Sequence, residues 1–213
     1  MPVSVFEEAK ATIRLSLPII FGEIAQMALH IIDTAMVGAL GYKHLAAAAL
    51  VLAVLNIPFV VGIGMTISVS QLVSMSHGRK DAQQVSHYFY NGFWLCVVTA
   101  VSISLALVLG KNVLFHLDQD PEVAVLAVPF LELMGWSVIP MILFMSLKQF
   151  TDGLEMTRTA MIISLLALPL NIFINWLLIF GNWGFPRLEL PGAGWGTLIT
   201  RSIMFISLGA IIL

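Results

Sequence analysis

Six apolar stretches, each long enough to cross a bilayer, follow one another along this chain with short polar turns between them. They run over Ile13–Val37, Leu45–Val69, Tyr88–Leu109, Val123–Leu147, Ala160–Phe180 and Ala193–Leu213. About 20 apolar residues cross the hydrocarbon core as a helix, and a barrel strand needs roughly half that number. The runs are therefore helical in length, and a helix satisfies its own backbone polar groups where no water is present to do so. The expected fold is an all-α integral membrane protein, a six-transmembrane-helix bundle occupying residues 1–213.

Composition points the same way. The chain is 59% hydrophobic and only 10% charged, against about 25% charged residues in soluble domains. Its net charge of −2 and the absence of a basic run give no footprint for nucleic acid. The lone Cys96 lies in an apolar segment, which excludes a disulfide framework or a cysteine metal site. The first run carries acids in its middle and is followed by further spans, so it reads as a retained helix rather than a signal peptide. Turn residues mark the connections at Gly38 and Gly41, His77–Gly78, Asp118 to Pro121, Asp152–Gly153, and Gly181 to Pro191.

Lysine and arginine in short loops set the orientation. With the N-terminus inside, the cytoplasmic segments hold Lys10, Arg14, Arg79, Lys80, Lys148 and Arg158, and the outer loops hold Lys43, Lys111 and Arg187. The N-terminus is expected to be cytoplasmic. Trp136, Trp183 and Trp195 lie near span ends, where indole rings form an interfacial belt. The last run ends at Leu213 without a polar flank, from which we expect either a truncated reading frame or a missing partner half.

Within the first run, Glu23, Gln26, His30 and Asp33 are spaced three, four and three apart and share one helix face. A carboxylate at the depth of Asp33 costs a few kcal/mol on insertion scales, so an acid there is a functional candidate by default. It could exchange a proton or, given oxygen neighbours, hold Na⁺; the structural alternative is a hydrogen bond to another helix. Glu23 lies roughly 15 Å from Asp33 along the axis and either lines an inner cavity or sits at its mouth. His30 is a candidate relay or a packing histidine. Pro18, in the first turns of this run, is a candidate hinge, with Gly22 one turn on.

In the fifth run Asn171 and Asn175, four apart and just after Pro169, need partners at membrane depth. They either coordinate a cation, hydrogen-bond the Asp33 carboxyl, or act as interhelical glue. Asn56 with Pro58 reads as packing or cavity lining, and Glu132 has no assigned depth. Arg201, inside the sixth run, calls for an acid on another helix that the sequence does not identify. Gly192, Gly194 and Gly196 have neither the preceding strand nor the following acid of a dinucleotide site, and read instead as close helix packing. No phosphate-binding loop, nucleophile–base pair or zinc motif is present, so the sequence gives no reason to expect an enzyme.

Several of these stretches resemble the multidrug and toxic compound extrusion (MATE) transporters, in particular their NorM-type branch. The matching residues are Leu17–Pro18–Ile19, Ile32–Asp33–Thr34 and Val37–Gly38 in the first run. They continue from Lys148–Gln149–Phe150–Thr151–Asp152–Gly153 through Thr157, Ala160, Met161, Leu170–Asn171–Ile172, Asn175–Trp176 and Gly181 to Pro186, Gly192–Ala193–Gly194, Gly196 and Thr197. The family has twelve spans in two six-helix halves, and this chain resembles the first half, one lobe of a twelve-helix transporter. The resemblance implies secondary active efflux of organic cations and amphiphilic drugs from the cell across the inner (plasma) membrane, as antiport against H⁺ or Na⁺, with no cofactor beyond the coupling ion. It implies a cation-coupling role for Asp33 with Asn171 and Asn175, a Na⁺ site at the same three residues in Na⁺-driven members, and a bending role for Pro18. Thr197, in the matched pattern, joins Glu23, Gln26 and His30 as a candidate cavity or relay residue. Partners implied are the lipid bilayer, small drugs, and a C-terminal lobe or a second copy. A lipid-linked precursor flippase of the same superfamily is the alternative, along with a non-transporting fragment. The position of Asn175 is an Asp in archaeal and related members, so this chain carries one carboxylate fewer there and the resemblance leaves the coupling ion open.

Overall fold

The computed structural model describes residues 5–212, with side chains from residue 9 onward apart from residue 11. Six long helices account for almost all of it: α1 (Val5–Gly38), α2 (Tyr42–Gly78), α3 (Ala82–Leu109), α4 (Pro121–Gly153), α5 (Thr157–Phe180) and α6 (Glu189–Ile212). Short 3₁₀ turns at Lys111–His116 and Asn182–Gly184 complete the connections, and the described residues contain no strand. All six helices are long and apolar enough to cross a membrane.

The helices outrun the apolar stretches. At 1.5 Å per residue the 37 residues of α2 extend roughly 55 Å, against a hydrocarbon core of about 30 Å. Helical hydrogen bonding continues into the polar zones, where hydropathy no longer marks it. His77–Gly78 and Asp152–Gly153, read as turns, are the last residues of α2 and α4. Likewise Pro191 and Gly192 lie in the first turn of α6, where a proline costs no hydrogen bond. The end expected for the sixth run at Leu213 lies outside the described residues.

Local chemistry fixes the ends. Asp81 caps α3 by accepting from the Gln84 amide at 3.0 Å, and Asp120 caps α4 by accepting from the Glu122 amide at 2.9 Å, with Pro121 as first helical residue. Gly181 ends α5 at φ 73°, ψ 36°, and a Cβ there would lie 2.9 Å from the Arg187 backbone nitrogen. Only glycine meets both demands.

The most enclosed helix is α4, which packs against α2, α3 and α6, while α5 lies between α6 and α1. α1 is peripheral and rests chiefly on α5. Small residues bring the helices together: a Cβ on Gly62 would meet Ile142 at 2.7 Å, one on Gly92 would meet Val69 at 2.7 Å, and one on Gly153 would meet the Ser70 carbonyl at 3.0 Å. Without a hydrophobic drive between helices in lipid, such close approach supplies the packing energy. Many large apolar side chains remain on the outside, among them Ile57, Leu109 and Leu166, as lipid-facing surfaces require. Trp136, Trp183 and Trp195 are all exposed, and Trp183 meets Phe173 and Trp176 edge-on beside the α5–α6 turn.

Candidate functional site: an acid held between three helices

α6 reaches α5 through glycines. A Cβ on Gly192 would lie 2.6 Å from the Leu178 carbonyl, and one on Gly196 only 1.9 Å from the Asn175 side-chain oxygen. Four apart on one face, they form a small-xxx-small contact. The pairing brings Thr197 and Thr200 of α6 beside Asn171 and Asn175 of α5, and all four are buried.

Asp33 of α1 completes this cluster. Its Oδ1 accepts from Asn175 Nδ2 at 2.6 Å. Its Oδ2 accepts from Thr197 Oγ1 at 3.4 Å, long for a hydroxyl donor. The Thr197 hydroxyl is closer to the Ala193 carbonyl, at 2.9 Å, so Asn175 is the principal donor. Asn175 Nδ2 also donates to Asn171 Oδ1 at 3.1 Å, and Asn171 Nδ2 reaches Thr200 Oγ1 at 3.5 Å. Asn175 Oδ1, turned away from Asp33 towards Gly196, is buried without a hydrogen-bond partner. A cavity of about 30 Å³, lined by His30, Asp33, Thr34, Thr197 and Arg201 among others, adjoins the carboxylate. That is room for about one water or a bare ion.

The rest of the α1 stripe points the same way but does other work. Glu23 accepts from Lys148 Nζ at 2.8 Å, and Lys148 also donates to Asp152 at 3.3 Å, one turn along α4. Glu23, expected to line an inner cavity or sit at its mouth, is half exposed and has a counter-ion from α4. Lys148, counted as a loop charge, is a buried residue of α4 at 2% exposure. Gln26 touches the Met145 sulfur at 3.9 Å. The His30 ring is exposed and lines cavities with Arg201, while its carbonyl accepts from the Thr34 hydroxyl.

Pro18 also moves. Because α1 begins at Val5, this proline is buried in the interior of a continuous helix and not in its first turns. Gly22, one turn on, faces the Met161 backbone and the Lys148 side chain, at 3.7 and 4.0 Å from its would-be Cβ. Glu132 pairs with Lys111 at 2.5 Å. Arg201 donates to Ser137 Oγ at 2.6 Å; the acid expected for it on another helix is Asp33 of α1, which lines the same small cavity and acts on it electrostatically from beyond ion-pair distance. Arginine four residues beyond Thr197, on the same face, was the available signal for its place at the site.

The family model MatE matches residues 18–177, which includes α5 as far as both asparagines. A "Probable multidrug resistance protein NorM" of Mesorhizobium japonicum is 29% identical over 209 residues, 97% of this chain and 45% of its own length. One of Rhizobium meliloti is 34% identical over 86% of this chain and 39% of its own length. "Multidrug resistance protein MdtK" of Yersinia pestis is 30% identical over 93% of this chain and 44% of its own length. Among solved structures, a MATE transporter crystallised in the bent conformation superposes with a TM-score of 0.88 at 20% identity, covering 96% of this chain and 45% of that one. A transporter of the MOP superfamily from Pyrococcus furiosus gives 0.86, also at 20% identity, covering 96% of this chain and 44% of that one. This chain thus spans less than half the length of the proteins it matches and shares with them a six-helix membrane unit. By that match and that fold, the chain belongs to the MATE family.

Proposed function

We propose that this six-helix unit is the ion-coupling lobe of a multidrug efflux antiporter, with Asp33 taking the coupling cation and Asn171, Asn175 and Thr197 arranging it. The observation that carries this reading is the contact of Asp33 with Asn175, which joins an acid in one membrane helix to an amide ladder in another. Transport of amphiphilic drugs fits the multidrug relatives, and no covalent chemistry is assigned to the chain. Alternating access needs a second wall, supplied by a C-terminal lobe or a second copy, against which this unit rocks.

The hydrogen-bond directions favour H⁺ over Na⁺. A hard cation is held by several oxygens. At Asp33, however, Asn175 presents its nitrogen, its oxygen faces Gly196, and Asn171 Oδ1 is spent on Asn175. With the amides so oriented, Na⁺ at Asp33, Asn171 and Asn175 would require the Asn175 amide to turn its oxygen to the carboxylate, the Thr34 and Thr197 hydroxyls being the other oxygens at the cavity. Relocation of a proton on the Asp33 carboxyl requires no such oxygen shell.

The cations support an N-terminus in the cytoplasm of the bacterial cell. Lys43, Lys111 and Arg187 are each paired with a glutamate. Arg14, Arg79, Lys80 and Arg158, at the opposite end, have no ion-pair partner among the described residues, which leaves the surplus positive charge on the side where membrane proteins retain it. A lipid-linked pyrophosphate flippase ranks below this reading, because the named relatives are multidrug resistance proteins.

The test is substrate-driven ion flux in proteoliposomes of the complete protein. Proton flux that is unaffected by Na⁺ and abolished by Asp33→Asn, with insertion intact, is the expected result. Undiminished efflux from Asp33→Asn would overturn the assignment.

A further inference from the structure

We propose that the cleft between the start of α5 and the facing turn of α1 is a binding site for the phosphate of an anionic membrane lipid, with Arg14 and Arg158 as its anchors. It lies roughly 28 Å along α1 from Asp33, at 1.5 Å per residue, and is separate from the acid cluster. Arg14 and Arg158 line one cavity of about 490 Å³, and both are exposed. Neither forms an ion pair among the described residues. Lys10, four residues before Arg14 and on the same helix face, adds a third cation. Among the described residues lining the cleft, Glu155 is the one acid, so three cations stand against one carboxylate. Asp152, the other acid of the α4–α5 connection, is held by Lys148.

The backbone adds to the attraction. α5 starts without a side-chain cap, with Met156 standing where an oxygen acceptor would cover the first amides. Thr157, Arg158 and Thr159 all line the cleft, so the helix brings free amides and the positive end of its dipole to it, as phosphate sites require. Thr157 supplies an independent sign. It is only 4% exposed, lines the cleft, and its hydroxyl makes no hydrogen bond among the described residues. A buried hydroxyl calls for a partner. A phosphate oxygen provides one while the arginine forks take the others bidentately.

The flanks identify the phosphate as a lipid's. On α1, Leu17 and Phe21 follow Arg14 at three and seven residues; on α5, Ile162 and Leu166 follow Arg158 at four and eight. Each set lies on one helix face, and all four apolar side chains are exposed. Each helix thus offers a cation at its end and an apolar stripe leading into the bilayer. That order matches a headgroup and its acyl chains, and basic pockets between membrane helices hold anionic headgroups in this way. A soluble phosphate would leave the stripes unused.

The experiment is photolabelling of the complete protein in phosphatidylcholine nanodiscs with trace phosphatidylglycerol carrying an acyl-chain diazirine, against the same probe with a choline headgroup. Labelling of the peptides around Leu17 and Ile162 should be at least fivefold stronger with the glycerol headgroup, as expected of one arginine near the surface. Arg14→Gln and Arg158→Gln, at exposed positions, should each reduce it several-fold, and together should bring it to the choline level. Arg14→Lys with Arg158→Lys should retain part of the preference, and Glu155→Gln should raise it. Arg79→Gln removes an exposed cation elsewhere and should change nothing at these peptides. Equal labelling by the two probes would overturn the proposal, as would a preference that survives the double glutamine variant. An equal loss in Arg79→Gln would reduce the effect to diffuse surface charge and overturn the site. Displacement of the lipid probe by excess glycerol phosphate would assign the cleft to soluble phosphates and overturn the lipid assignment.

Discussion

Asn175 points its amide nitrogen at Asp33, 2.6 Å away, and leaves its own oxygen buried and unpartnered against Gly196. An unsatisfied buried acceptor costs about 1–3 kcal/mol, and a hydrogen bond to a charged group returns about the same. The amide orientation is the one that an ionised Asp33 favours. Were Asp33 neutral, the balance would shift, because a protonated carboxyl can itself donate to an amide oxygen.

Gly196→Ala is expected to break this arrangement without touching a polar group. Its methyl would sit 1.9 Å from the Asn175 oxygen, so either the amide or α6 must move. Overpacking of this kind costs about 1–3 kcal/mol. A lowered midpoint of thermal unfolding together with reduced drug-driven proton flux is the expected outcome, and normal values for both would show that α5 and α6 are less tightly joined than described.

Removing the principal donor should be more specific. Asn175→Leu leaves Asp33 with only the long contact from Thr197 and deletes the bond to Asn171. We expect coupled efflux to fall about tenfold or more, the equivalent of 1.4 kcal/mol or more. Thr197→Val, which loses only the 3.4 Å contact to the carboxylate, should cost less. Efflux assays of the two variants side by side decide the order.

The Lys148 pairs are unequal, and exposure decides which matters. Lys148 and Asp152 side chains are 3% and 10% exposed, whereas Glu23 is 49% exposed. Glu23→Gln should therefore cost no more than about 1 kcal/mol, as exposed ion pairs do. Asp152→Ala deprives a buried ammonium of its enclosed partner, at a cost of about 3 kcal/mol or more. Chemical unfolding in mixed micelles would rank them, and the reverse order would contradict the burial described.

At the end of α5, Gly181→Val should be poorly tolerated. The left-handed backbone at φ 73° costs roughly 1–2 kcal/mol for an L-residue, and the Arg187 backbone leaves no room for the side chain. Gly181→Asn, which tolerates that conformation better, should be milder. Folded yield and thermal stability of the pair provide the measurement.

The number and type of elements were legible in the sequence because they depend on local quantities. An apolar run of more than 20 residues dictates a membrane helix whatever its neighbours, and spacing of three and four places Asp33 with Gln26, or Asn171 with Asn175, on one face. Helix ends were less legible, since α2 and α4 continue through polar residues that hydropathy does not register. Partner choice was legible only as alternatives: the amide pair with Asp33 was one of three readings, and the partners of Glu23 and Arg201 were not indicated. Glu23 lies 125 residues from Lys148, and Arg201 lies 64 from Ser137. Which groups meet depends on how each helix is rotated and how closely it approaches. Those two quantities are set by glycines such as Gly192 and Gly196, acting between helices. The sequence by itself determined six membrane helices and a polar stripe that had to face protein. Only the tertiary structure decided that Asp33 is held by Asn175, that Glu23 is held by a buried lysine, and that Arg201 is held by Ser137 beside the cavity it shares with Asp33, because those contacts arise from packing across helices rather than from any pattern along one.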